Sequence, residues 1–194
     1  MFLKSAKLRR LVKQAYKNSV LRLGDMGERL YISGSCWLIT IKKEMMPKEL
    51  IAMLYETAGE LPEDGTSFLA TEGGNQYELG RVTRIIAEIE KEHMEKAVKT
   101  NVLLESYETV YRLIQTVGSG RIMLIDEEVI DTISVAEIDY DNRETKPEGP
   151  FCNKAAAYWE NNVMTFLVYA GTDEKHEELL KNLETLHLSE RGAQ

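Results

Sequence analysis

Three pairs of β-rich runs, each pair split by only two or three turn residues, constrain this chain more than any other feature. "ERLYIS" (28–33) and "CWLITIK" (36–42) flank Gly34-Ser35, and "SFLAT" (67–71) and "NQYEL" (75–79) flank Glu72-Gly73-Gly74. "NKAAAYWEN" (153–161) and "VMTFLVYA" (163–170) turn at Asn161-Asn162. A parallel crossover needs a dozen or more residues, so strands this close pair antiparallel. "TNVLLES" (100–106), "ETVYRLIQT" (108–116) and "RIMLID" (121–126) add further strands.

Helical spacing fills the intervals. Leu8, Leu11, Val12, Ala15 and Tyr16 follow i, i+3, i+4, i+7, i+8, which predicts a helix over 2–18. Pro47 opens a second, with Leu50, Ile51, Leu54, Tyr55 and Ala58 as its stripe and Gly59 at its end. Val82, Ile85, Ile86 and Ile89 place a charged connector helix over 82–97. Asp126 caps a short helix over 127–134, and Leu179, Leu180, Leu183 and Leu186 define a C-terminal helix over 172–194. The expected fold class is α+β, with mainly antiparallel sheets in two strand–helix–strand halves, 23–81 and 98–171. A basic helix at 1–22, the connector and the C-terminal helix complete one domain over 1–194.

Charge is unevenly placed. Met1–Arg22 hold seven basic residues and no Asp or Glu, whereas the other 172 residues hold 17 basic and 32 acidic side chains. On the predicted helix, Lys7, Arg9, Arg10, Lys13 and Lys17 take the broad face opposite the apolar stripe. Clustered cations without nearby carboxylates suit phosphate contacts, and no aromatic residue interleaves them to read bases. A membrane-surface helix and an ordinary solvated helix compete with that reading. The membrane alternative is the weaker, because the apolar face is modest and has no Trp. At 126–148, nine Asp/Glu stand against Arg143 and Lys146, a surface suited to a basic protein partner.

Chemistry-bearing motifs are incomplete. "GSGRIM" (118–123) has Met123 where a phosphate loop needs its third glycine, and a strand follows it. "DYDNRE" from Asp139 has Arg143 and Glu144 where a calcium loop needs a ligand and a glycine. His93, His176 and His187 are scattered, and no HExxH, GxSxG or CxxC exists. No catalytic residue, metal ligand or cofactor site is therefore expected, and the chain is expected not to be an enzyme. Cys36 and Cys152 read as reduced thiols. Apolar runs such as "FLVYA" (166–170) are too short to span a bilayer. The basic N-terminus lacks the apolar segment of a signal peptide, so a cytoplasmic location is expected.

The stretch "RIMLIDEEVIDTIS…GPFCNKAAAYWENNVMTFLVYAG" resembles the closing repeat of a bacterial sliding clamp, the β subunit of the replicative polymerase (DNA polymerase III). In that comparison Arg121–Asp126 is the first strand, Glu127–Ser134 the helix, and Gly149 to Ala170 the closing hairpin. The arrangement is also similar to small proteins encoded by phages and prophages of Gram-positive bacteria. The resemblance implies a clamp-like fold and a non-enzymatic accessory role in DNA metabolism, with a protein partner, homo-oligomer formation and weak DNA phosphate contact. The alternative is a protein–protein adaptor or regulator with an acidic interaction surface and no nucleic-acid binding. No binding residue of the family carries over: helix 127–134 bears Glu127, Glu128 and Asp131 where clamp helices are basic.

Overall fold

The computed structural model describes residues 1–78, 94–186 and 188. Eleven strands and four α-helices run through the described residues. The paired strands run antiparallel, as short turns require. The chain is thus mixed α and β. Two compact units divide it, neither continuous in sequence. Met1–Glu92, Thr132–Pro147 and Glu160–Phe166 form the first; His93–Asp131, Glu148–Trp159 and Leu167–Gln194 form the second.

In the first unit, α1 spans Ser5–Lys17, starting later than its pattern predicts. Met1, Phe2 and Leu3 are buried and extended instead. The Lys4 N–H donates to Thr132 O and the Ser134 N–H to Phe2 O, each at 2.8 Å, and Leu3 bridges Ile133. Strand pairing satisfies the backbone while both bulky side chains leave water, which a first helical turn would not achieve. Strands β1 (Leu21–Asp25), β2 (Arg29–Ser33), β3 (Trp37–Lys42), β4 (Ser67–Ala70) and β5 (Gln76–Glu78) lie in the order β5-β4-β1-β2-β3. Register puts Leu23, Ile32, Ile39, Leu30, Ile41 and Phe68 on one face, and each is at most 2% exposed. Helix α2 (Lys48–Ala58) ends at Gly59, whose φ of 81° closes it as a left-handed cap. It packs beside α1, and Leu50, Met53, Leu54 and Ala58 are buried with Leu8, Leu11, Val12 and Ala15.

Strand β1 falls where the sequence pattern predicts none. Gly24 interrupts its β-propensity, yet the Tyr31 ring of β2 lies across that glycine. A Cβ at position 24 would stand 1.8 Å from Tyr31 Cε1. In the same unit Glu144, 4% exposed, accepts from the Asp139 N–H and Asn161 Nδ2, both at 2.9 Å. Its Oε2 also meets the Met1 ammonium at 2.6 Å.

The second unit contains β6 (Glu95–Ser106), β7 (Thr109–Thr116), β8 (Ile122–Asp126), β9 (Glu148–Cys152) and all but the last residue of β10 (Ala156–Glu160), in the order β10-β9-β6-β7-β8. Strand β11 (Met164–Tyr169) gives its first three residues to the first unit and its last three to the second. Residues 109–116 form the strand expected there. The predicted connector helix falls mostly outside the described residues; of its last part, Glu95–Ala97 belong to β6. Strand β9 holds Gly149 and Pro150, residues that ordinarily disfavour a strand, and lies almost wholly within the span that the clamp comparison gives to the closing hairpin. The strand predicted to start at 153 starts at Ala156. Before it, Asn153 Oδ1 accepts from the Ala155 and Ala156 N–H groups, both at 2.8 Å, and turns the chain. Asn161 does the same for Val163 and Met164, as predicted for the last hairpin.

Asp126 caps α3 through the Glu128 N–H as expected, but α3 covers only Glu127–Ile130, because Ile133 is used in the bridge to Leu3. A 3-10 turn at Glu174–His176 leads into α4 (Glu177–Glu184), and the Asp173 carboxylate accepts from the Lys175 N–H.

Candidate nucleic-acid interface

Helix α1 contains no carboxylate among its thirteen residues, and its last turn ends in Lys17, where a cation favours the helix dipole. With its apolar stripe buried, the five candidate cations take different surroundings. Arg10, Lys13 and Lys17 are exposed, and Lys7 and Arg9 are half-buried. Arg9 Nη1 meets Glu56 Oε2 of α2 at 2.5 Å. That pairing neutralises part of the basic face with a carboxylate 47 residues away, which no helical wheel of α1 contains. Arg10, Lys13 and Lys17 fall within a stripe about 60° wide and about 10 Å long at ordinary helix geometry. Tyr16, on the stripe's flank, donates its hydroxyl to Thr71 O at 3.3 Å. It therefore presents no stacking ring among the cations.

Two clefts carry other chemistry. One in the first unit, of about 360 Å³, is lined by Met1, Met45 and Met46 with Glu44, Asp139 and Glu144; its carboxylates repel phosphate. The Asp139–Glu144 segment folds as a turn on itself, with Asn142 Nδ2 donating to Asp139 Oδ2 at 2.6 Å. This hydrogen bond holds the Asp139 carboxyl below the usual range. A shallow cleft of about 310 Å³ in the second unit sets Arg121 and Lys154 opposite Asp173, Glu174 and Glu177. No group of three or more His, Cys, Asp or Glu suited to a metal ion occurs among the described residues.

Asp173 is the most elaborated carboxylate. His176 Nδ1 lies 2.6 Å from its Oδ2, and this contact, helped by the Ser106 hydroxyl, lowers its pKa. The order is Ser–Asp–His, with the carboxylate in the middle, so the imidazole does not reach the hydroxyl as a base would. Cys152 is buried, and desolvation pushes its thiol up to about 12, the reverse of an activated nucleophile.

No described helix is long and apolar enough to cross a membrane. No protein-family model matches the sequence, and no curated protein matches it. Among solved structures, the chain is similar to a crystal structure, from Eubacterium rectale, of a protein described as a DNA polymerase III beta subunit. Identity is 8%, the match covers 92% of this chain and 66% of that one, and the TM-score is 0.33.

Proposed function

We propose that this chain is a non-enzymatic accessory protein that grips duplex DNA through phosphate contacts from α1. The observation that carries the reading is the stripe of exposed Arg10, Lys13 and Lys17 on a helix that contains no carboxylate. Such contacts hold a polyanion without reading sequence. Residues 23–194 carry an excess of fifteen negative charges, so binding is modest and salt-sensitive. Three phosphate contacts give a slope of log affinity on log salt near about −3 on B-DNA.

The test is fluorescence anisotropy with a labelled duplex across a salt series, using wild type and the Arg10→Glu/Lys13→Glu/Lys17→Glu variant. Wild type is expected to bind at low salt with that slope, and the variant to lose binding. Equal binding by both, or none by either at low salt, overturns the reading. In the second case a protein adaptor takes its place. For that alternative, Val135 and Tyr140, 58% and 60% exposed, stand among the exposed Glu137, Asp139 and Asp141.

A further inference from the structure

Strand β6 outruns its neighbour. Strand β9 meets it only at Glu95↔Cys152 and Lys96↔Phe151, so among the described residues no strand pairs with the outer edge of Leu103–Ser106. On the inner side, Leu103↔Arg112, Leu104↔Tyr111, Glu105↔Val110 and Ser106↔Thr109 pair with β7 around the two-residue turn Tyr107-Glu108. In such a hairpin the residues flanking the turn exchange both hydrogen bonds. Alternation then directs the backbone N–H and C=O of Leu103 and Glu105 outward.

The same tip exposes apolar side chains: Val102 36%, Leu103 50%, Val110 42% and Tyr107 90%. No proline blunts the edge. Its one irregularity, between Lys99 and Leu103, sits at the base, where the Thr100 hydroxyl donates to Leu113 O at 2.8 Å. Tyr107 holds a φ of 53°, a left-handed conformation that costs a bulky residue energy. An open apolar edge of this kind is a template for another strand.

We propose that the Leu103–Ser106 edge pairs antiparallel with the same edge of a second copy, with Leu104 facing its counterpart across the two-fold axis. This register uses all the outward groups, because Leu103 of each copy exchanges backbone hydrogen bonds with Glu105 of the other. It sets leucine, not a second glutamate, opposite Glu105, avoiding a like-charge pair. It also lays the exposed tip residue Tyr107 towards the other copy's Asn101-Val102. The contact is isologous and small, so the dimer is weak and reversible.

Sedimentation of the full chain from low to high micromolar concentration is expected to show its mass rising from 22.1 kDa towards twice that value. Leu103→Pro removes only an outward N–H, so it is expected to keep native circular dichroism and stay monomeric. Leu104→Cys places two thiols in a non-hydrogen-bonded pair, about 4.5 Å between Cα atoms, within disulfide reach. It is expected to cross-link between copies under mild oxidation, and Val110→Cys is not. A mass fixed at 22.1 kDa, a folded Leu103→Pro that associates like wild type, or Leu104→Cys cross-linking no faster than Val110→Cys each overturns the proposal. Should Leu103→Pro fail to fold, the cysteine pair decides.

Discussion

Gly24→Ala tests the packing of the first unit at its tightest point. The added methyl would lie 1.8 Å from Tyr31 Cε1, 2.6 Å from Cζ and 2.7 Å from Cδ1. Carbon contacts settle at about 3.5–4.0 Å, so the ring must retreat by roughly 1.5 Å or more. Tyr31 has little room to do so: it is 4% exposed, and its hydroxyl is hydrogen-bonded to Ser67. Overpacking of this kind costs about 1–3 kcal/mol. Complete ejection of the ring sets the ceiling, near the roughly 3–5 kcal/mol of deleting a buried aromatic. A loss of about 3 kcal/mol is expected in urea denaturation. The same substitution in a Tyr31→Ala background meets no ring, and there alanine gains roughly 0.5–1 kcal/mol over a strand glycine. The double-mutant cycle should therefore show a coupling of about 3.5–4 kcal/mol. Additive effects would refute the clash and leave Gly24 needed for its backbone alone.

Two further outcomes follow from individual groups. Because burial pushes the Cys152 thiol up to about 12, a thiol reagent at pH 8 is expected to label Cys36 alone in the native protein and both cysteines in denaturant. Native labelling of the two at similar rates would contradict this. The Asp173 carboxyl is lowered by His176, so its contribution is present above the unfolded carboxylate pKa of about 3.9 and is lost as pH falls through the lower folded value. Asp173→Asn is expected to flatten the acid limb of a circular-dichroism titration below about pH 4; an unchanged limb would count against the pairing.

Much of this fold is legible locally. The hairpins across Gly34-Ser35, Gly73-Gly74 and Asn161-Asn162 announce themselves because each turn residue satisfies or shapes its own backbone. Where the reading fails, the deciding partner is distant. Leu21–Asp25 is a strand because Gly24 makes room for Tyr31, a fit visible only once register is known. Glu148–Cys152 is a strand despite its Gly-Pro, because β6 and β10 flank it. Met1–Leu3 leave the helix because residues 132–134 offer a ladder. The basic stripe of α1 is periodic and so was visible, but Glu56, which pairs with Arg9, comes from α2 and carries no signal in the residues around Arg9.

The division of the chain also sets an order of events during synthesis. The first unit includes residues 132–147 and 160–166, and Phe2 and Lys4 hydrogen-bond to Ser134 and Thr132. Phe2 and Lys4 must therefore wait for more than a hundred later residues before their backbone finds its partners. At roughly 5–20 residues per second, that wait lasts several seconds or longer. Throughout it Phe2 and Leu3 lack their native ladder, in a nascent chain whose N-terminal half is short of the strands that complete its unit. Contacts of such long sequence separation slow folding, and they leave the segments made first without native cover until residues 160–166 follow.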